Sequence, residues 1–96
     1  MRYLIIDAAL NGTGIRDKYE GGYIDPKDLG LSPLIIQHLN TWLLKYENEH
    51  YSGFLNNHII NELDTEGEKI AQVIKNELLE VKLEYFSDAR MTSKNL

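Results

Sequence analysis

The chain has 96 residues, 43% of them hydrophobic, no cysteine, and a formal charge of −5 from fifteen acids against ten bases. One modest core fits that length. The apolar content excludes disorder by composition, and the missing cysteines exclude disulfide frameworks and thiolate metal sites. The acidic balance argues against nucleic-acid binding, which favours a basic stripe. It is compatible with a basic protein partner, although mild acidity is also ordinary for a soluble chain.

Residues 2–10, RYLIIDAAL, begin β-branched and aromatic and then turn small, which predicts a buried strand from about Arg2 to Asp7. This apolar run is too short for a signal peptide, and no stretch is long enough to span a bilayer. A reducing cytoplasm is therefore the expected compartment. Asn11-Gly12 and Gly14 end the strand with turn chemistry. Asn11-Gly12-Thr13 also spells a glycosylation sequon, read as a turn because nothing marks the chain for secretion.

Residues 11–30, NGTGIRDKYEGGYIDPKDLG, hold five of the seven glycines and two of the six tyrosines, with no helical or strand period. Asp25, Pro26 and Gly30 form a second turn within them. Ser32-Pro33 then starts a helix: the hydroxyl can accept from an orphan N–H, and proline gives up a donor that had no partner. Ile35, Ile36, Leu39, Trp42, Leu43 and Tyr46 make one apolar stripe, predicting a helix over about 33–49. Gly53 punctuates it, and Asn56 or Asn57 caps a second helix.

Ile60, Leu63, Gly67, Ile70, Ile74 and Leu78 form the stripe of that second helix, with Glu and Lys opposite. Gly67 on the stripe costs about 1 kcal/mol relative to Ala, which suggests close approach to another backbone, that of the first helix. A break at Gly67, with Asp64 capping a new start, is the alternative; one long helix is preferred. VKLEYFSDA, residues 81–89, alternates Val81, Leu83 and Tyr85 against Lys82, Glu84 and Phe86, a strand with one buried face. The tail 90–96 is polar and expected to fray.

The expected order is strand, long loop, helix, helix, strand. This describes a single α+β domain over 1–96, with its ordered core over about 2–89 and a helical hairpin packed on a small sheet as a two-layer sandwich. Two strands alone make a marginal sheet. Either the GYI stretch adds a short strand, or the sheet is completed by another protein or by a homodimer through its exposed edge.

Few residues suggest chemistry. Asp7 and Asp88 each end a predicted strand, and parallel neighbouring strands would bring them together, to hold a divalent cation or divide acid and base roles. Each can equally cap its own turn. His38, His50 and His58 have no metal-ligand spacing on one helix and read as surface histidines. GTGIRD lacks the third glycine of a dinucleotide fingerprint, DPKDLG fails as a calcium loop, and no serine sits in a glycine-flanked elbow. No catalytic residue, cofactor or metal is expected, and the chain reads as a non-enzyme.

The long segment reads better as a contact surface. RDKYEGGYIDPKD interleaves Tyr19 and Tyr23 with Asp17, Glu20, Asp25 and Asp28, combining rigid contact area with steering charge. Covering the open face of a thin sheet is the competing role for its tyrosines. Glu47 and Glu49 sit where a helix dipole prefers cations, a local conflict of the sort a partner surface produces. Tyr19, Glu20, Tyr23, Asp25, Asp28, Glu47 and Glu49 are thus the candidate partner-binding residues.

The run GIRDKYEGGYIDPKDLGLSPLIIQHLNTWLLKYENEHY, with ELDTEGEKIAQVIKNEL and EYFSDA, resembles the small bacterial immunity proteins of contact-dependent growth-inhibition and related polymorphic toxin systems. The similarity spans about residues 1–89 and transfers no catalytic residue. It implies a cytoplasmic inhibitor that binds a cognate basic toxin domain, often a nuclease, and blocks its active site or substrate surface. A small metal-dependent enzyme or regulator built on Asp7 and Asp88, or a homodimeric interaction module, is the alternative.

Overall fold

The computed structural model describes residues 2–96. Strand β1 (Arg2–Ile6) is followed by a short strand β2 (Ile15–Asp17) and a 3-10 turn (Pro26–Leu29). Helices α1 (Pro33–Ser52) and α2 (Asn57–Leu78) follow, then strands β3 (Val81–Ser87) and β4 (Thr92–Asn95). The four strands form one mixed sheet in the order β2-β1-β3-β4, an α+β fold with the expected strand, helix, helix, strand order. β1 and β3 run parallel, with Leu4 opposite Leu83 and Ile6 opposite Tyr85. β2 and β4 flank them antiparallel.

Each helix forms for a readable reason. The Ser32 hydroxyl accepts from the Ile35 N–H and Pro33 fills the first helical position, while Gly53 closes α1 at a φ of 77°. α1 therefore continues to Ser52, beyond the expected end near Glu49. The Asn56 side chain accepts from His58 and Ile59 N–H to start α2. Ser32 also donates from its backbone and hydroxyl to Glu77, both at 2.8 Å, which pins the start of α1 to the end of α2.

Both apolar stripes face the sheet. Leu4, Ile6, Ile15, Leu83 and Tyr85 meet Ile35, Leu39, Trp42, Tyr46, Leu63, Ile70 and Ile74 in one core. The fully buried Trp42 donates its indole N–H to the Leu63 carbonyl at 2.9 Å, so its polar edge is satisfied between the helices. α2 is unbroken at Gly67. A Cβ there would strike the Trp42 ring at 2.7 Å and the Tyr85 ring, so the close approach is to two aromatic side chains and not to the backbone of α1. Asp64 does not cap a helix; it lies within α2 and faces the sheet.

The long segment supplies the strands that the sequence left open. β2 pairs with β1, and the chain then turns back so that Tyr23 bridges Arg16. Asp17 N–H donates to the Gly22 carbonyl and Ile24 N–H to that of Ile15, each at 2.9 Å. The added strand is thus Ile15–Asp17, upstream of the GYI stretch where one alternative placed it, and GYI itself contributes a single bridge at Tyr23. The C-terminal tail departs from expectation: Thr92–Asn95 pairs with β3, and Leu96 N–H donates to the Leu83 carbonyl. Its four strand residues are all exposed, so no apolar pattern marks them as strand.

Candidate functional site

The parallel β1–β3 pairing carries Asp7 and Asp88 to the same end of the sheet. Asp7 is buried and heavily used. Its carboxylate accepts from Arg16 Nε at 3.1 Å, from the Tyr23 hydroxyl at 2.8 Å and from Ala9 N–H at 3.4 Å. Both oxygens serve to tie the long segment and its following turn to the end of β1. Tyr23 is correspondingly pushed well above the ordinary phenol range by burial, and then by donating to Asp7.

Asp88 is in the opposite condition. Its Oδ1 is buried with no hydrogen-bond partner, and Oδ2 lies 3.8 Å from His50 Nε2. Burial raises its carboxyl above the usual range, the charge of Asp7 raises it further, and His50 pulls the other way. His50 itself, 2.9 Å from the Ala8 carbonyl, is held against the sheet rather than lying free on the surface. It does not meet His58, which pairs with Glu62 on its own helix. Among the described residues no group of three His, Asp or Glu side chains is placed to hold a metal ion.

The seven candidate contact residues do not converge on one patch. Tyr19 and Glu20 sit on the turn after β2, whose N–H groups both donate to Asp17 Oδ1 at 2.9 Å. Tyr19 is 75% exposed and stacks edge-on against Tyr3 near the start of β1. Tyr23 folds down, its hydroxyl spent on Asp7. Asp25 caps the 3-10 turn by accepting from Lys27 N–H at 2.9 Å, and Asp28 lies exposed on that turn. Glu47 and Glu49 lie half-buried at the end of α1, beside His50 and hence at the opposite end of β1 from Tyr19.

Two polar centres escaped the sequence reading. Asp64 accepts from the hydroxyls of Tyr46 at 2.9 Å, Tyr85 at 2.7 Å and Ser87 at 2.8 Å, and from Arg90 at 3.1 Å. A cleft of about 340 Å³ between α2 and β4 opens over this hub. The signal was present: Tyr46 and Tyr85 both occupy inward positions, and two buried hydroxyls require an acceptor. On the sheet face away from the helices, buried Glu84 accepts from the Tyr3 hydroxyl at 2.9 Å and Lys18 Nζ at 3.0 Å. Lys18 also lies over the Tyr3 ring, and its amine is held above its ordinary range, chiefly by Glu84.

No helix among the described residues is long and apolar enough to cross a membrane. No protein-family model, curated protein or solved structure matches the chain.

Proposed function

We propose that this chain is a non-enzymatic protein-binding inhibitor, an immunity protein that neutralises a cognate toxin domain. The toxin on this reading is a basic nuclease, and the block is steric and electrostatic, with acids taking the place of nucleic-acid phosphates. One observation carries the reading. Glu20, Asp25, Asp28, Glu47 and Glu49 form no ion pair among the described residues, whereas Asp7, Asp64, Glu66, Glu68 and Glu84 each hold a cation of the chain. Acids held on an ordered surface without internal cations are available to a basic partner and steer its approach. On this reading the protein acts in the cytoplasm, as the cysteine-free sequence suggests.

The test is an inhibition assay with the product of any toxin C-terminal domain that a gene neighbouring this chain's encodes. Stoichiometric addition of the wild-type protein is expected to abolish nuclease activity. Charge reversal by Glu20→Lys, Asp25→Lys and Asp28→Lys together is expected to slow association about tenfold or more and to flatten its salt dependence. If no neighbouring toxin is inhibited, the reading fails.

A second reading draws on the pairing of β1 with β3, which carries Asp7 and Asp88 to one end: a metal-dependent enzyme or regulator. Against it, both oxygens of Asp7 are occupied by Arg16 and Tyr23. Calorimetric titration with magnesium or manganese, wild type against Asp7→Asn, separates the two readings; saturable heat lost in the variant would favour the metal.

A further inference from the structure

Three chain connections meet where β1 and β3 finish. His50 Nε2 lies 2.9 Å from the Ala8 carbonyl, joining the last turn of α1, just before the helix connection, to the β1–β2 connection. Asp88, at 3.8 Å from the same nitrogen, brings in the β3–β4 turn. Arg90, in that turn, donates to Asn61 in the second turn of α2 at 2.6 Å. Each connection exposes a large apolar side chain: Leu10 at 44%, Leu55 at 86% and Met91 at 73%, and Tyr51 in the last turn of α1 is 75% exposed. A lone exposed leucine needs no explanation, but one on each of three converging loops has the composition of an interface centre.

Of the four non-glycine residues with positive φ among the described residues, three lie at this end, and the fourth, Leu79, closes α2 at the other. Asn11, Phe54 and Met91 all adopt the left-handed region, at φ of 66°, 56° and 56°, one in each connection. Such conformations are costly for side-chain-bearing residues and gather where function requires a fixed loop shape. The charges are also unbalanced there. Glu47 and Glu49 add to the negative end of the α1 dipole without an ion-pair partner among the described residues, and Asp88 keeps an unpartnered oxygen. The nearby cations are already committed, Arg16 to Asp7 and Arg90 to Asp64.

The geometry points to this end as the docking face, and to a partner whose contact surface is basic around an apolar centre. The inference rests on the inhibitor reading and deepens it. The partner presses an apolar patch onto Leu10, Tyr51, Leu55 and Met91 and brings lysine or arginine to the surrounding carboxylates. The turn bearing Tyr19 and Glu20, at the other end of β1, lies outside the contact, so Glu20 acts on the partner's approach and not in the bound complex.

An amide NMR titration of the full chain with a short peptide of alternating lysine and leucine tests this. Saturable shifts are expected at Leu10, Tyr51, Leu55 and Met91, and no comparable binding by a peptide of alternating glutamate and leucine. Leu55→Ser with Met91→Ser, both at exposed positions, is expected to keep the folded spectrum and to weaken binding about tenfold, while Tyr19→Ser leaves it unchanged. Shifts centred on Tyr19, equal binding of the acidic peptide, or full affinity in the double variant overturns the assignment. The toxin assay separates the two ideas: inhibition that survives the double variant sinks the docking face alone, and peptide binding without toxin inhibition sinks the inhibitor alone.

Discussion

Two aspartates show how placement decides what a carboxylate does. Asp64 collects four donors and is fully used; Asp88 is buried with an oxygen unpartnered and with Asp7 pushing against its charge. Asp64→Ala strips the acceptor from three largely buried hydroxyls and an arginine, and is expected to cost about 3 kcal/mol or more in denaturant unfolding. Asp88→Asn should do the reverse near neutrality and raise the melting temperature. The folded pKa of Asp88 lies above its unfolded value, so its contribution is favourable below the unfolded value and is lost as pH rises through the folded one. Melting curves from acid to neutral pH should therefore show the gain from Asp88→Asn growing as pH rises; a flat difference would contradict the assignment. At the alkaline limit, Tyr46 is pushed up to about 12 by burial, so the fold loses stability as pH climbs past the ordinary tyrosine value.

At the scale of elements, Gly67 gives the clearest contest of magnitudes. Alanine in mid-helix gains about 1 kcal/mol over glycine from propensity. Here the added methyl meets the Trp42 and Tyr85 rings, both buried and both hydrogen-bonded, to the Leu63 carbonyl and to Asp64. Rings held in this way cannot step aside, and overpacking a closed core costs about 1–3 kcal/mol. Gly67→Ala is expected to be net destabilising by about 1 kcal/mol in urea titration, with helix content unchanged by circular dichroism. The glycine on an otherwise apolar stripe was readable as a close approach; that its neighbours are aromatic rings was not, because the register of β3 against α2 is a tertiary fact. Helices and central strands were legible for the same reason throughout: twenty-odd residues of periodic burial leave a pattern, as Ile35 to Tyr46 and Ile60 to Leu78 do. β2 has three residues and β4 four exposed ones, too few or too polar to write a period. Backbone pairing created those strands, and side-chain pattern is silent about it. The Asp7–Asp88 proximity was conditional on parallel strands, whereas the spread of the seven contact candidates over both ends followed from β2 running antiparallel to β1, which carries Tyr19 and Glu20 back to the start of β1 while α1 ends against Ala8.

For the molecule as a whole, the two sheet edges differ, and that difference bears on self-association. The β2 edge is covered by residues 22–24 of the same chain. The β4 edge is open. Leu96 N–H donates to Leu83, and strand alternation then turns the backbone groups of Ser93 and Asn95 outward while Thr92 and Lys94 bond to β3. A second copy pairing antiparallel through both outward residues would set Lys94 directly opposite its own symmetry mate. Like charges at a cross-strand pair are destabilising by about 0.2–1 kcal/mol, and a short polar edge carrying lysine is a usual guard against strand addition. The homodimer alternative therefore meets a specific obstacle. Sedimentation velocity over a concentration series at low salt is expected to show a monomer for the wild type. Lys94→Val, which removes the opposed charges and loosens only the exposed pair with Glu68 at 3.3 Å, should shift the series toward dimer, and Ser93→Pro in the same background should abolish that shift by deleting the outward N–H donor. A wild-type dimer that Ser93→Pro dissociates would show instead that the lysine does not guard the edge, and would move the weight of the function from a foreign partner to a second copy of this chain.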